Sequence, residues 1–385
     1  MVRKVCVFIG SRANYSSIKS AMAAIKNHPK LELQLVLGAS AILDKYGAVK
    51  NLIQKDGFDI TRSVYMNIEG ENNLAMAKST GLGILEIATA FEELKPDFVI
   101  VVGDRYEIMA PAVAAAYMNI PLVHTMGGEV TGTIDESIRH AVTKLAHIHF
   151  PANRESGERI KKLGELEENI HVVGCPRIDL VNQIMQKGME NLDNLCREYG
   201  GVGAEIDVNQ PFLLVSQHPV TTEYDNAEKE IYETLKAVEE LDMPTIMLWP
   251  NSDAGTDGIS RGIRKYREIN GDKKIHLFKN LPTNIYINLM LRTVCLVGNS
   301  SSGIREGEFM GTPCVNIGTR QMGRERGENV IDVDYNCQDI VKAVLQQKKH
   351  GRYQSKSIYG DGKAGERIAN ILAVTSVDVQ KRITY

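Results

Sequence analysis

Net charge is nearly absent from this 385-residue sequence: 45 Lys and Arg against 48 Asp and Glu leave −3 at pH 7. With no long block of either sign, nothing marks a nucleic-acid or anionic-membrane surface. Any anionic ligand must be met by a few local groups, and neither nucleic acid nor membrane is expected as a partner. Long apolar runs are missing too. The first run, residues 5–9, is too short to cross a bilayer and no small-residue cleavage site follows it, so a buried strand is expected there and not a leader. The cysteines at 6, 175, 196, 295, 314 and 337 are scattered singly, without a C-x-x-C, so a reduced, cytoplasmic protein is expected. There is no G-x-G-x-x-G, no P-loop lysine, no H-E-x-x-H and no fixed-period repeat. Neither a cofactor nor a metal is expected: His140, His147 and His149 run from a helix into a strand, a path that should not converge on one ion.

What is present is alternation. The length suggests two domains, and 43% hydrophobic residues suffice for two cores. Apolar runs at 5–9, 33–37, 98–102, 122–124 and 147–150 read as strands buried on both faces, with helices between them over 73–94 and 107–118. A second series of strands is expected at 212–216, 245–249, 275–278, 294–297 and 314–317, with 200–203 as a glycine-rich loop. The class is therefore α/β, two Rossmann-like doubly wound domains, one over 1–175 and one over 176–363. In such sheets ligands lie beyond the carboxyl ends of the strands, so residues just after strands carry the chemistry.

Gly10, Ser11 and Arg12 follow the first strand and open a helix, a place suited to an anion, with Arg12 able to fork onto phosphate. A plain βα turn with a solvated arginine has the same local appearance. Gly298, Asn299, Ser300, Ser301, Ser302 and Gly303 follow the strand at 294–297. Their hydroxyls and the N–H groups of a following helix would suit a diphosphate, with Glu306 one turn in to accept from ribose. Three serines exceed what a helix cap needs. His218 follows the strand at 212–216 and suits phosphate contact or a proton shuttle, and Arg320 follows 314–317.

Asp104, Glu129 and Asp135 all follow strands of the first domain or open its next helix. Crowded carboxylates disfavour one another's charge, which moves pKa values toward those useful for proton transfer. Each taken alone has an ordinary reading: Asp135 as a helix N-terminal charge, Asp104 paired with Arg105, Glu129 as a loop residue.

Together and in this order, these segments resemble the UDP-N-acetylglucosamine 2-epimerases. The run from Glu129 through Asp135-Glu136-Ser137-Ile138-Arg139-His140 to His147, with Asn251-Ser252-Asp253-Ala254-Gly255 and Ser357-Ile358-Tyr359-Gly360-Asp361-Gly362, is similar to the hydrolysing branch. That branch serves bacterial sialic acid synthesis and forms the epimerase half of the bifunctional animal enzyme. The resemblance covers essentially the whole chain and implies a glycosyltransferase-B arrangement, two Rossmann-like domains with a cleft between them. It also implies a C-terminal helix at about 364–385 returning to the first domain, and a homodimer or homotetramer. The family usually has an acidic residue where this chain has Asn14.

The implied reaction is anti elimination of UDP from UDP-GlcNAc to 2-acetamidoglucal, then hydration to N-acetylmannosamine, leaving UDP as the other product. Asp104, Glu129, Asp135 and His218 would be catalytic. Arg12, Arg105, Arg139, Ser300, Ser301, Ser302, Gly303, Glu306 and Arg320 would bind the UDP-sugar. The alternatives are a hydrolysing epimerase for UDP-N,N'-diacetylbacillosamine, a non-hydrolysing epimerase, a glycosyltransferase and a non-enzymatic sensor.

Overall fold

The computed structural model describes residues 2–384 apart from 44–48, 70–72, 131–133, 221–223, 251–255, 272–273 and 383. The motif residues at 131–133, 221–222 and 251–255 thus lie outside the described residues. The chain forms two compact units: Met1–Glu129 with Ile134–Leu180 and Tyr359–Tyr385, and Val130–Thr133 with Val181–Ile358. The division falls inside the helix Pro176–Lys187.

The first unit holds β1 (Arg3–Ile9), β2 (Leu31–Leu37), β3 (Arg62–Ser63), β4 (Phe98–Val102), β5 (Leu122–Thr125) and β6 (Ile148–Phe150). Every neighbouring pair is parallel, in the order β3-β2-β1-β4-β5-β6. Strands β4 and β5 are buried at every position, as unbroken apolar runs require when helices cover both faces. The order runs outward in both directions from the β1–β4 pair, so the crevice for a ligand opens beyond Ile9 and Val102. Among the described residues one helix, Asn73–Leu94, is long and apolar enough over Leu74–Leu94 to cross a membrane. It carries Lys78, Glu86, Glu92 and Glu93 and sends Ile87, Ala90 and Phe91 into this unit's core.

The helix Ala364–Val374 lies against Arg12–Asn27, close enough that a Cβ on Gly365 would come within 2.6 Å of the Ser20 backbone. Its first N–H groups are capped from a distance. Asp179 accepts from Ala364 N at 2.9 Å and Gly365 N at 2.7 Å, and from Ser20 Oγ at 2.9 Å.

The second unit holds β7 (Val202–Gly203), β8 (Leu213–Ser216), β9 (Thr245–Leu248), β10 (Ile275–Phe278), β11 (Cys295–Gly298), β12 (Cys314–Ile317) and β13 (Val330–Val333). The order is β13-β12-β11-β8-β9-β10-β7, parallel except for β7. Alternate residues serve opposite faces: Leu213 and Val215 enter one apolar cluster, Phe212 and Leu214 another. Here the order reverses between β11 and β8.

The α/β class with parallel doubly wound sheets is as the alternation implied. Three strands had no apolar run to announce them. β3 and β7 are two residues each, and β7 lies in the stretch expected to be a loop. β13 is an edge strand with no fully buried position.

Candidate active site

At the reversal point of the first unit, Gly10 follows β1, where a Cβ would stand 2.4 Å from Cγ of the buried Glu107. Ser11 then caps the helix Arg12–Asn27, its Oγ accepting from Asn14 N at 3.2 Å. Arg12, the first helical residue, is half-buried; burial and then the charge of Arg177 push its pKa down. Asn14 is buried, donating Nδ2 to the carbonyl of Val102 at 3.1 Å while its Oδ1 accepts from Ser11 Oγ at 3.0 Å.

Val102 ends β4, and Gly103 turns the chain with φ +77°, a left-handed conformation suited to glycine. The turn presents Asp104. Arg105, next to it in sequence, donates Nε to Glu107 Oε1 at 2.9 Å. Asp104 is bound by Arg139, 35 residues further on and only 1% exposed. A second nitrogen of Arg139 donates to the backbone oxygen of Glu129 at 2.7 Å. Arg139 lies on the helix Ile134–Leu145, one turn after the half-buried Asp135. One guanidinium therefore ties together the segments carrying Asp104, Glu129 and Asp135.

The three histidines that follow this helix's start bond separately. His140 Nε2 faces Glu136 Oε1 at 3.4 Å, His147 bonds Leu122 N and Val379 O, and His149 Nε2 reaches Glu165 at 3.1 Å.

The second unit has its own convergence at its reversal point. Asn299, fully buried, accepts from His218 N at 2.7 Å and donates to His218 O at 2.8 Å, which staples the end of β8 to the end of β11. The backbone oxygen of Asn299 accepts from Arg320 at 3.2 Å and from Gln321 Nε2 at 2.9 Å. His218 Nε2 lies 3.4 Å from Ser216 Oγ. Ser300 and Ser302 pair through their hydroxyls at 2.8 Å, and Tyr286 OH meets Ser302 at 2.6 Å. Thus His218, Ser300, Ser302 and Arg320 gather around one asparagine.

One expectation for this loop needs correcting. Ser300–Gly303 does not open an α-helix: Ser301–Gly303 is a single 3-10 turn, and the helix that follows, Glu306–Met310, has only 5 residues. Too little aligned dipole stands behind the serines for a helix-terminus anion site, so side-chain hydroxyls and turn N–H groups are what the loop offers. Gly303 has a packing reason of its own, since a Cβ would stand 2.4 Å from Cys314 Sγ. Ser301 is half-buried and Glu306 is buried in the short helix. Two residues further on, Glu308 is also buried; burial foremost, then Glu325, raises its carboxyl to about 7 against the Ile358 N–H and Lys356.

The sequence assigns no separate role to Asn299, His124 or Glu107, and it does not disclose the bond from Asn14. Asn299 stands beside three serines whose hydroxyls carry the stronger signal. His124 lies at the end of an apolar strand run and reads as core. Only the fold shows which carbonyls these polar groups meet.

The sequence profile of the family described as UDP-N-acetylglucosamine 2-epimerase matches residues 23–373, nearly the whole chain. The chain belongs to the UDP-N-acetylglucosamine 2-epimerase family. Within the family, it is 33% identical to the UDP-N,N'-diacetylbacillosamine 2-epimerase (hydrolyzing) of Legionella pneumophila, over 97% of this chain and 96% of that one. It is 32% identical to the UDP-N-acetylglucosamine 2-epimerase of Neisseria meningitidis, over 99% and 98%. The crystal structure of UDP-GlcNAc 2-epimerase from Neisseria meningitidis bound to UDP-GlcNAc superposes with a TM-score of 0.80 at 18% identity, covering 96% of this chain and 99% of that one. The fold is thus the two-domain fold of the solved epimerases of this family.

Proposed function

We propose that this chain is a hydrolysing 2-epimerase that converts UDP-GlcNAc into N-acetylmannosamine and UDP. The observation that carries the reading is the Arg139 bridge, which gathers three carboxylate-bearing segments at the reversal point of a parallel sheet. A binding protein has no use for such a set, whereas an elimination and a hydration each need a proton moved.

In the elimination, the C1–O bond to UDP breaks and its electron pair leaves with the diphosphate. The positive charge developing at C1 makes C2–H acidic, a carboxylate takes that proton, and the C1–C2 double bond forms. Asp104, Glu129 and Asp135 are the acid/base set. Water then adds its oxygen at C1, giving up a proton to a carboxylate, and a second, solvent-exchanged acid delivers a proton to C2 on the face opposite the one deprotonated, which inverts that centre. Bond breaking before deprotonation depends on donors placed for the departing diphosphate. We assign His218, Ser300, Ser301, Ser302, Arg320, Arg12, Arg105 and Arg139 as donors to the UDP-sugar; Gly303 shapes the serine turn and Glu306 takes the ribose. The absence of a disulfide among the six cysteines supports a reducing, cytoplasmic setting.

A second reading, the same chemistry on UDP-N,N'-diacetylbacillosamine, is favoured by the 33% identity to the Legionella pneumophila enzyme of that name. Proton NMR of turnover in deuterated water tests both. Free N-acetylmannosamine carrying deuterium at C2, together with UDP, is the expected result. Retained protium at C2 would refute elimination, UDP-ManNAc without free sugar would refute hydrolysis, and turnover of only the bacillosamine sugar would select the second reading.

A further inference from the structure

Strand β5 carries a histidine with no exposed surface, His124, whose surroundings join the same three segments by a route separate from Arg139. Its Nε2 lies 2.7 Å from the carbonyl oxygen of Gly103, the residue before Asp104. Its Nδ1 lies 3.1 Å from Oγ1 of Thr143, fully buried on the helix that carries Asp135 and Arg139. The third neighbour is Gly127, two residues before Glu129. A Cβ on Gly127 would come within 2.9 Å of His124 Nδ1 and 3.0 Å of Thr143 Oγ1, so glycine is there to let the imidazole–hydroxyl pair sit against the chain.

Hydrogen-bond chemistry places a proton on Nε2. A carbonyl oxygen only accepts, so Nε2 carries a proton; in the neutral ring Nδ1 is the acceptor and Thr143 donates to it. Both ring nitrogens are satisfied by a neutral imidazole. Burial pushes its pKa down to about 4, against the pull of the Gly103 carbonyl and Glu129 and with the push of His149 and His140. The ring thus stays uncharged through the range in which an acid/base enzyme works.

We propose that His124 is a positioning residue of the active site: a buried, neutral imidazole that sets the Asp104 turn, the Glu129 segment and the Asp135 helix against one another. The proposal rests on the reading of those three as the acid/base set. It assigns His124 no contact with substrate. The imidazole holds a carbonyl on one side and a helix on the other, and the angstrom-scale placement of three carboxylates follows from that.

The test has a structural arm and a kinetic arm, both on the full chain. Nitrogen-15 NMR of histidine-labelled protein is expected to show His124 as the Nε2–H tautomer, with no titration between pH 5.5 and 8, a window chosen from the ordinary histidine pKa of about 6.5. An Nδ1–H tautomer, or protonation within that window, overturns the proposal. For UDP-GlcNAc turnover, His124→Phe is expected to lower kcat about 100-fold, the cost typical of an angstrom of misplacement, with KM changed less than about threefold. Thr143→Val, close in shape, is expected to lower kcat about 10-fold and Thr143→Ser to restore it; it decides the kinetic arm where His124→Phe does not fold. Unchanged kcat in folded variants, or a loss confined to KM, overturns the proposal. The tautomer measurement needs no turnover, so failure of the functional reading and failure of this one are distinguishable.

Discussion

Arg139 and Asp104 form a pair that sequence distance conceals: a guanidinium with 1% exposure binds a carboxylate presented by a glycine turn at the end of β4. Because a second nitrogen of Arg139 holds the Glu129 carbonyl, the planar fork matters as much as the charge. Arg139→Lys keeps the charge and loses the fork. It should lower kcat for UDP-GlcNAc turnover on the order of 100-fold. Parental kcat would show that the bridge is dispensable.

Asn299 invites a test of binding. Its side chain bonds both backbone groups of His218, and its carbonyl takes Arg320 and Gln321. Asn299→Ala leaves those backbone groups buried without their partner and frees the His218 segment. UDP affinity should fall about 10-fold or more, read by calorimetry, with a cost to stability of about 1–3 kcal/mol. Unchanged UDP affinity would remove the second unit's cluster from nucleotide binding.

Asn14 donates to Val102 O, the carbonyl just before the Gly103 turn. A carboxylate at this position can donate only when protonated, so Asn14→Asp acquires a folded-state pKa above the unfolded value of about 3.9. Its stability is therefore retained at low pH and lost as pH rises through the folded pKa. Denaturant melts should show Asn14→Asp weakened by about 1–3 kcal/mol at pH 8 and less at pH 5. Equal weakening at both values would mean that the carboxylate finds another donor.

Glu308 supplies a second sign to test. Burial raises its carboxyl to about 7 in the folded chain, above an unfolded value of about 4.3. The unfolded chain releases this proton first, so the folded state loses stability as pH climbs through that interval. Glu308→Gln removes the ionisable group. It should stabilise the protein by about 2 kcal/mol at pH 8 and by little at pH 5, measured by urea unfolding. A gain larger at pH 5 than at pH 8 would contradict the assignment.

Glu165 is the mirror case. Burial pushes its pKa up, but bonds from His149, Lys144 and Lys381 outweigh this and hold the carboxyl at about 2. Its contribution is complete above the unfolded value near 4.3 and disappears as pH falls through about 2. Glu165→Gln should cost about 2 kcal/mol at pH 7 and flatten the acid limb of the stability curve between roughly pH 4 and 2. Because Lys381 also donates to the carbonyls of Lys144 and Ala146, the variant should loosen the C-terminal segment to limited proteolysis. An unchanged acid limb would dissociate Glu165 from acid stability.

The sequence by itself determined the fold class and the loops that follow the strand ends. Apolar runs without alternation specify strands buried on both faces, and glycine-led segments directly after them specify the carboxyl-end loops. That logic reached Gly10, Asp104, His218 and Ser300, and it missed β13, an edge strand whose half-exposed residues carry no unbroken run. Tertiary structure alone decided which groups meet. Arg139 could have been a solvated helix residue, and Arg105 was the nearer partner for Asp104; closure of the sheet put Arg139 beside Asp104 and turned Arg105 to Glu107. His124 looked apolar by its neighbours, yet a buried imidazole must satisfy both ring nitrogens, and only the packed sheet and helix say with what. Periodicity records which face a residue takes. Hydrogen-bond partners across 20 to 160 residues depend on strand order and on the turn of each loop, which no local pattern encodes.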